Sequence, residues 1–184
     1  MRDSPGRVEK PPRFTLKRKK VFAGQGYKEC SMKYFHDFEF EENGITIEPI
    51  SLGVVRENSK EFYAVNTNYD LFRATPWLRE NVLPSLYSFQ ASCNGFVFQL
   101  PKELIEPQLL NWMSKDNSKV ELIGYYSAYD HVCLSQLFGP MIGLPEGIPK
   151  WTRDIKQIMS DLKLDKSQVP ISNKLEHNSL FDAR

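Results

Sequence analysis

The sequence predicts an α/β protein, a mixed sheet flanked by helices, in one domain behind a basic extension. Two observations carry this reading. Three β-rich segments follow one another closely, joined by links of a few residues, and helical and strand-like segments then alternate to the end. The 184 residues are 41% hydrophobic and 12% aromatic, which suffices for one sizeable core.

Residues 1–32 carry nine Lys/Arg against three Asp/Glu (+6), and the remaining 152 carry 15 against 20 (−5). The arm runs through Pro5-Gly6, Pro11-Pro12, Lys17-Arg18-Lys19-Lys20 and Gly24-Gln25-Gly26 without periodicity, so it is expected to be disordered. Its basic run suits a nuclear address, a nucleic-acid contact or part of a transit peptide. A solvated tail ahead of an alternative start at Met32 is the preferred reading.

Order is expected from Lys33, with a domain over residues 33–184. Residues 33–40 read as an aromatic-rich strand ended by Glu42-Asn43-Gly44. Residues 45–55 form a second strand rich in β-branched residues, Asn58-Ser59 a turn, and residues 61–66 a third strand. Such short links imply an antiparallel meander. Residues 76–83 suggest a short helix stopped by Pro84, and residues 87–99 show no clean period. A better helix spans 102–115, with Ile105, Leu109, Trp112 and Met113 at helical spacing. Residues 120–126 read as a fourth strand and residues 128–138 and 154–162 as helices. A last helix starts near His177.

No apolar run approaches the roughly 18 residues of a membrane span, and no secretory signal is visible, so no membrane partner is expected. Cys30, Cys93 and Cys133 are odd in number and dispersed, which suits a reducing, cytoplasmic setting. Cys133 falls on the apolar side of its helix and reads as core. Nucleotide-binding P-loops, serine-nucleophile motifs and zinc-type spacings are absent.

Acidic residues and histidines carry the chemistry. Asp37 and Glu39 alternate along a strand, so both leave one face, while Tyr34, His36, Phe38 and Phe40 point into core. Paired carboxylates there repel and resist desolvation unless a cation lies between them; two exposed acids on an edge strand are the other reading. Asp130 follows the apolar run Leu122-Ile123-Gly124-Tyr125-Tyr126 and opens a helix, where a simple dipole-compensating acid is also expected. Of three histidines, His36 falls on the core face and His131 points elsewhere around its helix. His177, in a polar stretch five residues before Asp182, is free to act as a base or to be a surface residue.

The order Asp-x-Glu, Asp, His-x4-Asp resembles the histidine branch of the DEDD 3′-to-5′ exonucleases. The likeness is closer to the short bacterial and phage exoribonucleases of the mycobacterial type, related to ribonuclease T. It is carried by residues 34–44, Ile50-Ser51-Leu52-Gly53-Val54-Val55, residues 61–65, 129–141 and 176–184. The resemblance implies a ribonuclease H-like fold with a five-stranded mixed sheet. It implies two Mg²⁺ or Mn²⁺ ions on Asp37, Glu39, Asp130 and Asp182, with His177 as general base. It implies RNA 3′ ends, single-stranded or overhanging, as substrate, nucleoside 5′-monophosphates as products, and leaves a homodimer open.

Three departures stand out. Phe38 lies where the family usually has threonine, Asn178 replaces an aspartate, and residues 88–99 resemble the family least. Asp182 lies two residues from the end of the sequence, where relatives continue a long helix, so its turn is expected to fray. A catalytically impaired nucleic-acid-binding relative and a DNA-directed exonuclease are the competing functions.

Overall fold

The computed structural model describes residues 31–87, 93–116, 118–168 and 177–184. All but two residues of the basic extension therefore lie outside the described residues, as does Cys30. Six strands form one sheet, β1 (Ser31–Glu42), β2 (Ile47–Arg56), β3 (Glu61–Asn66), β4 (Gly95–Leu100), β5 (Lys119–Gly124) and β6 (Arg153–Asp154), in the order β4-β3-β2-β1-β5-β6. The expected meander is present, since β1–β2 and β2–β3 are antiparallel. The pairs β3–β4, β1–β5 and β5–β6 are parallel.

The expected five strands become six. β4 is the half-exposed edge strand within the segment that lacked a clean period, and burying only one side leaves little apolar signal. β6 has only two residues, too few for any periodicity to register. Gly95 is required where β4 joins, because a Cβ there would overlap the Glu61 backbone carbonyl. β5 ends at Gly124, two residues early, because Tyr126 turns into the left-handed region at φ 56°.

Helices cover both faces. On one, α2 (Lys102–Met113) and α3 (Ala128–Leu137) pack Ile105, Leu109, Trp112, Cys133 and Leu134 over Tyr34, Phe38, Leu52, Val54 and Phe62. On the other, α1 (Pro76–Asn81) and the short α5 (Ser179–Asp182) set Leu78 and Leu180 against Ile50, Tyr63 and Val65. α4 (Ile155–Asp161) starts one residue later than expected because Asp154 caps it, accepting from the Lys156 and Gln157 amides. Cys133 is fully buried, as its helical position suggests. No helix among the described residues is long and apolar enough to cross a membrane.

Candidate active site

β1 outruns its parallel neighbour. Its pairing with β5 ends at Phe35–Ile123, so Asp37, Phe38 and Glu39 lie on a stretch that β5 no longer covers. Such positions, past the carboxyl end of a parallel strand, are where open α/β sheets place ligands. The turn after β5 leads directly into α3, and Asp130 in its first turn fills the gap. Its Oδ1 accepts a hydrogen bond from the Phe38 amide at 3.1 Å. A bulge after Glu39, where Phe40 pairs with Pro49 of β2, ends the regular register beside the acids.

Asp37 and Glu39 share the face opposite Phe38, as the alternation requires, and α5 delivers Asp182 to the same place. Asp37, Glu39 and Asp182 each offer a carboxylate oxygen, all within 4.8 Å of one another. Asp130 stands beside this group. Burial, then the charges of Asp130, Glu39 and Asp182, push the Asp37 carboxyl well above its usual range. Burial followed by Asp182 and Asp130 raises Glu39 to about 8. Asp130 is raised to about 7, mainly by burial and against the pull of the Phe38 hydrogen bond. Carboxyls so crowded resist ionising together.

Phe38, the departure from threonine, does not enter this face. Its ring is buried in the core and meets the His36 ring edge-on at 6.3 Å. His36 is buried as expected, with Nε2 2.9 Å from Thr152 Oγ1; the same hydroxyl lies 3.0 Å from His131 Nδ1. Burial, then His131, pushes His36 down to about 3, and burial also lowers His131. Neither is suited to take a proton at neutral pH.

His177 belongs to the carboxylate cluster through its backbone. Its N–H donates to Asp182 Oδ2 at 3.0 Å, and its carbonyl accepts from Ser85 Oγ at 2.7 Å. These bonds hold it in the left-handed region at φ 65°, which a residue with a side chain seldom adopts. Its ring sits edge-on to Trp77 of α1 at 4.9 Å. Sequence reasoning singled out neither Ser85 nor Trp77; Trp77, one residue after a helix-starting proline, carried no signal beyond its own type.

The single turn of α5 is held from outside rather than by its own propensity. Asn178, the replacement for aspartate, is its N-cap and accepts from the Leu180 and Phe181 amides, while its Nδ2 donates to the Ser85 carbonyl. Ser179 Oγ meets Ser51 Oγ at 3.0 Å. Gly53 lets this turn lie on β2, since any Cβ there would overlap the Ser179 carbonyl. Leu180 is fully buried, and Arg184 forks onto Glu61 at 2.7 and 2.9 Å. Burial alone would raise the Glu61 carboxyl, but the Arg184 and Asn94 hydrogen bonds outweigh it and hold it below its usual range. The Asn178-Ser179 pair ahead of Leu180 was the readable cap signal.

Arg184→Ala removes both charge-assisted bonds and is expected to cost about 1–3 kcal/mol. For a domain of this size that lowers the melting temperature by roughly 2–4 °C per kcal/mol, measurable by thermal shift. An unchanged melting temperature would show that Leu180 and the serine pair hold the turn without it.

A mixed sheet wrapped by helices, with acids gathered past the end of a central strand, defines an α/β protein compatible with the ribonuclease H-like exonuclease fold. Two curated proteins, the 3′-5′ exoribonucleases of Mycobacterium tuberculosis strains CDC 1551 and H37Rv, are each 39% identical over 154 residues, 83% of this chain and 88% of theirs. The chain belongs to that 3′-5′ exoribonuclease family. No family model matches the sequence.

Proposed function

We propose that this protein is a metal-dependent 3′-5′ exoribonuclease of the histidine-using DEDD type, releasing nucleoside 5′-monophosphates from RNA 3′ ends in the cytoplasm. The observation that carries the reading is the convergence of Asp37, Glu39 and Asp182 within 4.8 Å, with Asp130 alongside, in a chain 39% identical to named exoribonucleases. Asp37 and Glu39, raised first by burial and then by the charges of the acids around them, fit a site built for cations. Their oxygen donors, with no thiolate among them, suit Mg²⁺ or Mn²⁺.

Asp37, Glu39, Asp130 and Asp182 would hold two such ions, which when bound acidify a water and stabilise a departing 3′-oxygen. The protein's own part is geometric. β1 fixes Asp37 and Glu39 at the two-residue repeat, the Phe38 amide orients Asp130, and the His177 amide orients Asp182. His177 would take the proton from the attacking water at a ring nitrogen, its backbone clamped from both sides.

The test is degradation of a 3′-overhang RNA and the matched DNA with Mn²⁺, Mg²⁺ or EDTA. RNA shortened from its 3′ end with either metal and intact in EDTA is the expected result. Undiminished hydrolysis in EDTA would remove the metal-dependent reading, and equal or faster loss of DNA would favour the DNA-directed alternative.

The raised carboxyls also predict a pH dependence of stability. An unfolded chain releases these protons at about pH 4, whereas the folded protein keeps those of Asp130 and Glu39 to about 7 and 8. The folded state therefore holds more protons between those limits, and stability falls as pH rises. His36, kept neutral, acts in the opposite sense only below about pH 6.5. Without metal, the melting temperature should drop from about pH 6.5 to about pH 8, and Mn²⁺ should abolish the drop by binding the ionised acids. A flat profile in EDTA would contradict the raised Asp130 and Glu39 carboxyls.

A further inference from the structure

We infer that Trp77 is a positioning residue for the reaction: its indole holds the His177 ring in the place from which it takes a proton. The inference rests on the reading of His177 as the base. The His177 backbone is fixed on both sides, by Asp182 at its amide and by Ser85 at its carbonyl. Neither bond fixes the ring, which still turns about two side-chain torsions. A histidine that serves as a base is ordinarily oriented by a third group that hydrogen-bonds its other ring nitrogen. Among the described residues no hydrogen bond reaches a ring nitrogen of His177, and the contact its ring makes is with Trp77. The ring centroids stand 4.9 Å apart with the planes at 77°, an edge-on geometry inside the favourable range for aromatic pairs. Such a contact restrains the ring plane without setting a donor on the nitrogen lone pair that must receive the proton.

The local structure fixes Trp77 for this role. α1 begins at Pro76, with Thr75 Oγ1 accepting from the Leu78 amide, and Asn81 Nδ2 donates to the Trp77 carbonyl at 2.9 Å. Arg79 ties the preceding loop to the helix by donating to the carbonyls of Ala74 and Phe72. Leu78 anchors the helix in the core, whereas Trp77 beside it stays 52% exposed. Leaving half of an indole in water forgoes part of its hydrophobic stabilisation, and the contact with the base is what the position serves. Eight residues on, Ser85 donates to the His177 carbonyl, and the Ser85 carbonyl accepts from Asn178. Residues 75–85 therefore meet the base at its ring, at its backbone and at the residue that follows it.

The test is a double-mutant cycle of Trp77→Leu with His177→Ala, read by single-turnover hydrolysis of saturating RNA in Mn²⁺ and by RNA affinity in EDTA. Trp77→Leu keeps apolar bulk and loses the ring. It is expected to slow hydrolysis about ten- to hundredfold, the size of a misplaced reacting group, while affinity changes by less than about twofold. Trp77→Phe, which keeps a ring edge, should recover most of the rate. In the His177→Ala background Trp77→Leu should cost nothing further, because it acts through a ring that is gone. Equal slowing with and without the His177 ring overturns the proposal. So does weaker RNA binding at an unchanged rate, which would make Trp77 a stacking surface for a base. A nuclear Overhauser contact between the His177 and Trp77 ring protons checks the geometry in the wild type without any variant, and its absence overturns the proposal as well. A His177→Ala protein as fast as the wild type would sink the reading of the base and this proposal with it. A slow His177→Ala protein in which Trp77→Leu still costs its full factor sinks the proposal alone.

Discussion

Replacing Asp37 or Glu39 by alanine is expected to reduce RNA hydrolysis on the order of 10³-fold, the size seen when a group that stabilises developing charge is removed. Both carboxylates leave the same face of β1 and meet Asp182 within 4.8 Å, so each supplies an oxygen to the cluster. Neutralising Asp37 without changing its shape carries an opposite signature in stability. Asp37 is held above its ordinary range first by burial and then by three neighbouring acids. Asp37→Asn keeps the shape and removes one of the repelling charges, so without metal at about pH 8 it should melt higher than the wild type. Lost activity with raised stability is what a cation site predicts, because the protein retains a repulsion that only a ligand relieves. The paired measurement is RNA turnover in Mn²⁺ and thermal unfolding in EDTA for both proteins. If Asp37→Asn melts lower, the acids are structural partners rather than ligands in waiting.

His177→Ala is expected to lower turnover by about 10²–10⁴-fold, the usual contribution of a general base. Metal binding should be nearly unchanged, since imidazole is not among the proposed ligands. The His177 amide donates to Asp182 Oδ2, and alanine keeps that amide. Alanine should also keep the acceptor for Ser85 Oγ. The variant thus separates the ring's chemistry from the backbone's role in holding the turn, read by single-turnover hydrolysis beside a Mn²⁺ titration. A fall of no more than about twofold, below what proton transfer supplies, would remove His177 as the base.

Much of the fold was legible because its signals are local. β-Branched and aromatic residues in period two wrote the meander, and apolar residues at helical spacing wrote α2. The antiparallel register then followed from the short turns, and Asp37 and Glu39 could be set on one face by counting. β4 was not legible, because an edge strand exposed on much of its length carries little apolar pattern. β6 was not, because two residues have no period.

The sequence by itself determined the α/β class, the pairing of Asp37 with Glu39, and the burial of His36, since each depends on neighbours within a few positions. Only the tertiary structure decided how Asp182 is held. One helical turn is marginal in isolation, and a sequence reading expects it to fray. Here the Asn178 cap, the Ser51–Ser179 contact, buried Leu180 and the Arg184–Glu61 fork come from residues up to 128 positions apart. The turn's order is therefore a property of the assembled sheet. The same reason governs His177: its left-handed backbone is imposed by Ser85 and Asp182, and no preference of histidine predicts it.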